Sequence, residues 1–358
     1  MMKSLISKLK DQQGISVIMV ALMIVMFLSL AALAIDIGYG LVVKNELQNI
    51  SDAAALAATR QLGSIYEGMS YEEQQTYFCD SSTIIGVAKE VAENNQAGGQ
   101  SITINDGDVI IGTWNVQTKL LNPTFLQPDA VRVIARRDDV ANGPITTFFA
   151  RIFGKDTVDV SADAIAALTG LSIAGEGGLP FPGGISKYRF ETEYCDKPIR
   201  FYPTNDLLSC GGWHTYTESP SSANKLSNIL KDLKDRKYKS PETIAGETKF
   251  DFTGGTLASV FDDMKALFDV MKVKNDGELD KDNNPDTWTT TVVVYDSPDC
   301  FNPNKPLKIV GFAEITITEI LEAPEKIING VIKCEYVESG RGGGGEYGTK
   351  GSIPGLVE

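Results

Sequence analysis

Reactive side chains are scarce in this sequence, and their spacing limits the chemistry that it could perform. The single histidine, His214, stands in the stretch Gly211-Gly212-Trp213-His214, and no G-x-S-x-G sequence accompanies it. A hydrolase built on a Ser-His or Cys-His pair needs such a histidine beside its nucleophile. We therefore predict that the protein is not an enzyme, has no cofactor and binds no small-molecule substrate. His214 is expected to be a loop residue beside a packed tryptophan.

An acidic stretch, residues 275–286, could supply oxygen ligands to Ca²⁺, because it holds five acids and three asparagines. An EF-hand loop beginning at Asp280 would place Pro285 where a glycine is needed and Thr291 where a bidentate glutamate is needed. The standard loop therefore fails, and we predict a solvated turn without a metal. The weak calcium candidates are Asp280, Asp282, Asn284 and Asp286.

The five cysteines form no C-x-x-C pair, which disfavours a structural zinc site. All of them follow the apolar segment described below, and on the outer side of a membrane they could oxidise. Cys195 and Cys210 enclose fourteen residues of low apolar content, and a Cys300–Cys334 bridge would tie two late strands together. We predict these two disulfides, with Cys79 left over, as a preference among the fifteen arrangements that five cysteines allow.

One apolar segment must position everything that follows it. Residues 15–35 contain no charge and only two polar residues, both serines. As a helix they would extend about 30 Å, the thickness of the hydrocarbon core of a bilayer. A cleaved signal peptide is the alternative, because Ala32-Leu33-Ala34 resembles a cleavage site, but the apolar run is longer than is usual there. We predict a transmembrane helix, called here the apolar span.

The charges that flank the apolar span predict its orientation. Lys3, Lys8 and Lys10 precede it, against the single acid Asp11. Lysine bias keeps the short amino-terminal side in the cytoplasm. Residues 1–14 are therefore expected inside, and the bulk of the chain outside.

Helical spacing of apolar residues continues beyond the apolar span to Leu62, with Gly63 as the expected end. A single rod would thus begin in the bilayer and continue outside it. One face of the rod carries small residues, which let another helix approach closely. We predict that this face packs against the membrane or a partner helix through Ala53, Ala54, Ala57 and Ala58.

Three short patterns stand in the rod and the segment before it: AIDIG at residues 34–38, LQN at 47–49 and DAAALA at 52–57. In these patterns residues 14–62 resemble the amino-terminal segment of the TadG-like proteins of Flp/Tad pilus assembly. Two later stretches are similar to the same family, AVRVIARR at residues 130–137 and FFARIFG at 148–154, the latter followed by VDVSADA at 158–164. Together these stretches are spread over about half of the chain.

The resemblance implies a membrane-anchored, extracytoplasmic accessory or minor-pilin role in the inner membrane of a bacterium, without catalysis. The implied partners are the lipid bilayer and other pilus-assembly or pilin-like proteins. Gly14 precedes the apolar run as in prepilins, but Met19 stands where major pilins have glutamate. Processing at Gly14 and entry into a filament as a pseudopilin therefore stay open. The D-x-S-x-S metal motif of many longer members is absent from the sequence.

The composition fits an exported domain and disfavours nucleic acid, because the 358 residues carry a net charge of −14. The predicted fold class is α+β, with a pilin-like stem packed on an antiparallel sheet and a second mixed α+β region. A membrane-anchored surface adhesin or calcium-binding exported protein is the alternative function. The predicted segments are 1–14 cytoplasmic, 15–35 transmembrane, 36–169 stem and first domain, 170–184 Gly/Pro linker, 185–338 second domain, and 339–358 flexible Gly-rich tail.

Overall fold

The computed structural model describes residues 2–201, 209–253, 260–273, 281–301, 303–322 and 324–358, with side chains from Ser16 onward. The helices are α1 (Met2–Glu67), α2 (Tyr71–Gln75), α3 (Ser81–Glu93), α4 (Ala223–Lys234) and α5 (Val260–Met271). The strands are β1 (Gln96–Ala97), β2 (Gln100–Ser101), β3 (Val109–Asn115), β4 (Leu120–Pro123), β5 (Ala130–Arg137), β6 (Ile145–Thr146), β7 (Thr157–Val158), β8 (Val160–Ala167), β9 (Ile173–Ala174), β10 (Gly183–Ser186), β11 (Pro198–Phe201), β12 (Gly211–His214), β13 (Thr243–Ile244), β14 (Lys249–Thr253), β15 (Trp288–Tyr295), β16 (Pro306–Leu321), β17 (Ile327–Lys333), β18 (Tyr336–Arg341), β19 (Thr349–Ile353) and β20 (Gly355–Leu356).

The predicted α+β class, with one long apolar helix at the amino-terminal side, is confirmed. The tertiary contacts divide the chain into two compact units. Unit 1 comprises Met1–Ala55, Ile85–Ile110 and Arg132–Ala164, and unit 2 comprises Leu56–Ile84, Ile111–Val131 and Ile165–Glu358. This division differs from the predicted boundary at residues 170–184. Leu171, Leu179 and Phe181 from that stretch belong to the buried core of unit 2.

Helix α1 is a single uninterrupted helix that changes character along its length. Its large apolar side chains from Val17 to Val42 are mostly exposed. From Val43 onward the predicted stripe is buried, as apolar side chains one helical turn apart meet the rest of the fold. This stripe consists of Val43, Leu47, Ile50, Ala54, Ala58 and Leu62.

Gly63 does not end α1, as the sequence predicted, but lies inside it. A β-carbon on Gly63 would collide with the backbone carbonyl of Ser352. Glycine is needed here for close packing of another chain segment, not for a helix cap. The helix therefore continues for one more turn, to Glu67.

A five-stranded sheet has the order β20-β8-β5-β3-β4, and its β20–β8 and β3–β4 pairs are antiparallel. In unit 1, Ser51 of α1 joins two of its strands by hydrogen bonds. The Ser51 hydroxyl donates to the carbonyl oxygen of Ala162 at 3.0 Å and accepts from the N–H of Ala135 at 3.2 Å. In unit 2, the Thr59 hydroxyl donates to the carbonyl oxygen of Ala166 at 3.2 Å. These bonds satisfy buried hydroxyl groups while fixing the helix to the sheet.

Unit 2 contains a seven-stranded sheet of order β11-β17-β16-β14-β12-β10-β15, and an added β16–β15 pairing closes five of its strands into a ring. Closure satisfies the backbone groups that a free strand edge would expose. Helices α4 and α5 bury their apolar faces in the same unit. An aromatic cluster lies at the centre of this core and consists of Phe181, Phe201, Trp213 and Trp288.

The prediction of a flexible Gly-rich tail over residues 339–358 is wrong. Strands β18 and β19 pair in parallel, and β20 pairs with β8. Glycine is used for close backbone approach, since a β-carbon on Gly344 would collide with the carbonyl of Leu171. The glycines of this stretch therefore allow tight packing of ordered chain.

The predicted pairing of the cysteines is also wrong. The structure joins Cys195 to Cys334 and Cys210 to Cys300, and leaves Cys79 as a buried free thiol. The antiparallel register of β11 and β17 explains the first bridge, because it pairs Pro198 with Val331. Cys195 stands three residues before Pro198 and Cys334 three residues after Val331, so the two cysteines face each other beyond the paired strands. Strand pairing, rather than nearness in sequence, selects the partners.

The second bridge also follows from the strands. The first residue of β12 follows Cys210 and pairs with Ile185 of β10, while Ser186 of β10 pairs with Tyr295 at the end of β15. Cys210 therefore lies at the sheet end from which the chain continues to Cys300.

Candidate membrane-proximal site

Asp36 of α1 lies one residue beyond the apolar span and holds a short segment of unit 1 by three backbone N–H groups. Its Oδ1 accepts from the N–H of Phe148 at 2.7 Å. Its Oδ2 accepts from the N–H groups of Phe149 at 3.0 Å and Ala150 at 2.6 Å. These donors stand at the start of the 3₁₀ turn Ala150–Phe153, where N–H groups have no partner within the turn. The carboxylate thus fixes this turn to the helix.

The charge of Asp36 is stabilised by the same contacts. Partial desolvation raises the pKa of Asp36, but the three N–H donors and the nearby Arg151 outweigh it, so that the pKa lies below its usual value. The carboxylate therefore stays ionised at neutral pH, and it keeps the acceptor capacity that the turn requires.

The segment held by Asp36 exposes large apolar side chains. Residues 148–153, called here the FFARIF segment, include Phe148, Phe149, Ile152 and Phe153, which are 49%, 38%, 75% and 73% exposed. A pairing of β6 with β7 closes the base of the loop. The Phe148 ring meets the ring of Tyr39 on α1 edge-to-face, with centroids 5.3 Å apart. The apolar side chains are thus presented by a braced loop.

An open groove of about 790 Å³ lies beside the FFARIF segment in unit 1. Leu33, Ile37 and Leu41 line it from α1, and Ile145 and Val158 line it from the β6–β7 pair. Ala150 is the member of the FFARIF segment that lines this groove, and the charged residues Asp36, Lys44, Lys155 and Asp159 line it as well.

The four predicted packing alanines do not share one environment. Ala54 and Ala58 are fully buried within the fold, Ala57 is half-buried, and Ala53 is exposed. A straight helix turns neighbouring residues to different sides, and the sheet-facing stripe takes every fourth one. A role in packing against a partner helix stays a prediction, and Ala53 is the member that the fold leaves accessible.

His214 lies in strand β12, not in a loop as predicted. Its side chain is fully buried against the rings of Tyr216, Phe250 and Phe252. The Nδ1 atom accepts from the N–H of Tyr216 at 3.3 Å. Burial lowers the pKa of His214 to about 3, so the imidazole is neutral. The side chain therefore serves as core packing, with Trp213 buried beside it in sequence.

Of the weak calcium candidates, Asp280 lies outside the described residues. The Asp282 carboxylate accepts from the hydroxyl groups of Thr287 and Thr289, each at 2.7 Å. The side-chain oxygen of Asn284 accepts from the N–H of Asp286 at 3.0 Å. Within the part of the chain that the structure describes, no group of three or more His, Cys, Asp or Glu side chains could hold a metal ion. The side-chain oxygens of Asp282 and Asn284 therefore accept hydrogen bonds from nearby residues of the chain.

Unit 2 holds a buried ionic cluster that the sequence did not indicate. Glu314 is fully buried and lies 3.5 Å from the Lys281 ammonium, and it accepts from the Thr291 hydroxyl at 2.9 Å. Lys281 also pairs with Glu338. Desolvation raises the pKa of Glu314, Lys281 lowers it and Glu338 raises it, with a net value of about 7. Lys281 and Glu338 line a cavity of about 320 Å³.

The contact between Asp36 and the FFARIF segment was not predicted from the sequence. Both lie in stretches that carry the family resemblance, AIDIG and FFARIFG. That both stretches resemble the same family was the feature of the sequence that could have linked them. Since 112 residues separate Asp36 from Phe148, no local pattern could show that they meet.

Within the described residues, these features define a class of protein with one candidate membrane span that continues into a folded α+β region. Helix α1 is long and apolar enough to cross a membrane from Ser16 onward, with a mean hydropathy of 2.9 in its most apolar window, none of which is buried. Asp36 directly follows the apolar span, and the FFARIF segment is bonded to it.

Residues 14–61 match the family described as putative Flp pilus-assembly TadE/G-like, and residues 74–166 match the family described as putative Tad-like Flp pilus-assembly. Both matches lie within residues 14–166, and they support a TadG-like Flp/Tad pilus-assembly family assignment. No curated protein and no solved structure matches the chain. The family supports involvement in Flp pilus assembly and points to an assembly role rather than to catalysis.

Proposed function

We propose that the protein is a membrane-anchored, extracytoplasmic accessory or minor-pilin-like component of a Flp/Tad-type pilus assembly or secretion system. It acts through protein–protein contacts and performs no catalysis. The main support is the change along α1, whose apolar residues are exposed before Val43 and form a buried stripe after it. A helix that is apolar on all sides and exposed requires an apolar solvent, and a bilayer provides one.

The proposed orientation has the amino terminus in the cytoplasm and the folded region on the outer side of the bacterial inner membrane. The lysine bias before the apolar span supports it. The two disulfides of unit 2 are consistent with an oxidising compartment. The proposed partners are the bilayer and other pilus-assembly proteins.

A topology experiment tests this proposal on the full chain. A reporter that is active only outside the cytoplasm is fused after Glu358, and the mass of the mature amino terminus is measured. We expect an active reporter and an uncleaved chain. An inactive reporter, or a mass that begins at Ile35, would contradict the anchor. A mass that begins at Ile15 would favour the pseudopilin form.

Site-specific photocrosslinking tests the proposed protein contacts in cells that assemble the pilus. A crosslinker at Ala53, which is exposed, should capture another pilus-assembly protein. The matched control is Ala54, its neighbour on α1, which is fully buried and should capture nothing outside the chain. Equal capture at both positions would contradict a specific contact, and the absence of capture at Ala53 would remove this face from the proposal.

A further inference from the structure

We propose that the FFARIF segment rests in the interfacial zone of the bilayer, so that the protein contacts lipid at two places, the apolar span and this loop. The inference rests on the proposed membrane anchoring of residues 15–35. It adds a second, peripheral contact that neither family description assigns.

The first support is position. Asp36 directly follows the last residue of the apolar span, and its carboxylate is bonded to the N–H groups of Phe148, Phe149 and Ala150. If Ile35 lies at the edge of the hydrocarbon core, the loop lies at about the same depth in the bilayer, because its backbone is hydrogen-bonded directly to the next residue of the helix. A segment at that depth meets the lipid headgroups and the upper acyl chains.

The second support is the chemistry of the exposed side chains. Phe148, Phe149, Ile152 and Phe153 stand out from a short turn, whereas large apolar side chains of this kind are normally buried in a soluble domain. Aromatic and aliphatic side chains with basic neighbours are typical of segments that lie in the membrane interface. The composition of the turn therefore fits a lipid surface.

The third support is charge. The eight residues 148–155 contain Arg151 and Lys155 and no acid, although the chain as a whole carries −14. Both basic side chains are exposed. Arg151 and Lys155 next to apolar side chains suit an anionic leaflet, which attracts basic residues near its surface, although Asp156 follows them directly and Asp159 lines the adjoining groove. The nearby Asp36 carboxylate is occupied by backbone N–H donors.

A bilayer is favoured over a second protein by continuity. Ala150 of the FFARIF segment lines the groove together with Leu33, Ile37 and Leu41 of α1, so that the loop adjoins the helix where the apolar span ends. One partner of one chemistry can cover the span, the groove and the loop together. The contact would also fix the depth and rotation of the span, as interfacial anchors do for other membrane helices.

Depth-dependent fluorescence quenching tests the inference on the full chain. The protein is reconstituted in vesicles of phosphatidylcholine with a minor share of phosphatidylglycerol, in which part of the phosphatidylcholine carries bromine either high or low on its acyl chains. Tryptophan is introduced by Phe153→Trp, and the signal of the three native tryptophans is subtracted with the unaltered protein. We expect a blue-shifted emission that bromine near the headgroup quenches strongly and deep bromine quenches weakly.

The matched control is Phe78→Trp in unit 2. Phe78 is 70% exposed, close to the 73% of Phe153. The ring of its neighbour Tyr77 meets the ring of Tyr66 edge-to-face, with centroids 5.2 Å apart, and Tyr66 lies about 30 residues beyond Asp36 on α1. That separation is roughly 45 Å along a helix. The introduced tryptophan at residue 78 should show water-exposed emission without bromine quenching.

A third variant, Val25→Trp in the middle of the apolar span, separates this inference from the anchoring itself. Deep bromine should quench it. If the residue 25 probe is quenched and the residue 153 probe is not, the loop contact is refuted while anchoring stands. If neither is quenched, both fail. A blue shift at residue 153 without bromine quenching, which grows with protein density in the vesicles, would assign the loop to a second protein and overturn the inference.

Discussion

The two units differ in how much apolar side chain they bury. Unit 1 exposes Phe153 and the apolar part of α1, whereas unit 2 buries Phe181 completely within a large core. Both sets of residues are equally apolar in the sequence, so composition alone does not separate them. The difference teaches that unit 2 is organised around a large apolar interior, while unit 1 combines a smaller buried stripe on α1 with an extensive exposed apolar surface.

The largest effect on stability should come from truncating one phenylalanine side chain in each unit and comparing the two variants. Phe181→Ala should lower the free energy of unfolding by about 3–5 kcal/mol, because it opens a cavity in a closed core. Phe153→Ala should change it by no more than about 0.5 kcal/mol, since an exposed side chain loses little on truncation. Denaturant unfolding of the detergent-solubilised chain, followed by tryptophan fluorescence, measures both. Similar losses in the two variants would remove the distinction between the units.

The disulfides offer the next largest test, because both lie in unit 2. The double variant Cys195→Ser with Cys334→Ser removes a bridge that spans 139 residues and should cost about 2–5 kcal/mol of unfolding free energy. Cys79→Ala serves as the control, since it removes a thiol and no bridge. Non-reducing peptide mapping should recover the pairs Cys195–Cys334 and Cys210–Cys300. A bridge that contains Cys79 would contradict this pairing, and five free thiols would also contradict the outer location.

The buried carboxylate Glu314 should make the stability of unit 2 depend on pH. The pKa of Glu314 in unit 2 is raised from 4.5 to about 7 by desolvation, against the pull of Lys281. Between these two pH values the folded protein binds more protons than the unfolded chain, so its contribution to stability falls as pH rises. Glu314→Gln should remove this fall and gain stability relative to the unaltered protein across that window. Unfolding at several pH values measures it.

The opposite outcome for Glu314→Gln would be equally informative. If the variant becomes progressively less stable than the unaltered protein as pH rises, the ion pair with Lys281 dominates over desolvation. The raised pKa would then be wrong. Asp36 gives the contrast, because its lowered pKa keeps it ionised throughout the same pH window.

The smallest expected effect is that of calcium. We expect no saturable rise in the melting temperature when Ca²⁺ is added, because hydroxyl and N–H donors already occupy the Asp282 carboxylate. Asp282→Ala should lower stability equally with and without Ca²⁺, through the loss of these hydrogen bonds. A large shift that the substitution abolishes would favour the adhesin alternative.

Local patterns in the sequence predicted the elements well where a period or composition determines them. The buried stripe of α1 follows from apolar residues spaced one turn apart, and the exposed window from an unbroken apolar run. Strand β5 alternates buried and half-buried positions over most of its length, as its sequence indicates. In each case the types of residues close together in the sequence are enough to predict the element and its buried face.

Patterns failed where distant parts of the chain decide the structure. The cysteine partners depend on the register of β11 against β17, and the role of Gly63 depends on the approach of Ser352. The contact between Asp36 and the FFARIF segment, on which the candidate site depends, likewise joins remote residues. Such pairings follow from topology, which a single sequence without covarying positions does not reveal.

Under the proposed outer location, the pairing of Asp129 with Lys350 has a consequence for the order of events during translocation across the membrane. Lys350 lies 221 residues after Asp129, and its ammonium neutralises that buried carboxylate at 2.8 Å. The same late stretch supplies β19 and β20. A chain that emerges from a translocation pore starting with its amino-terminal side therefore presents Asp129 long before its counter-charge arrives. Unit 2 therefore cannot complete its folding, and the edge of β8 that pairs with β20 stays unpaired, until residues near 350 have crossed.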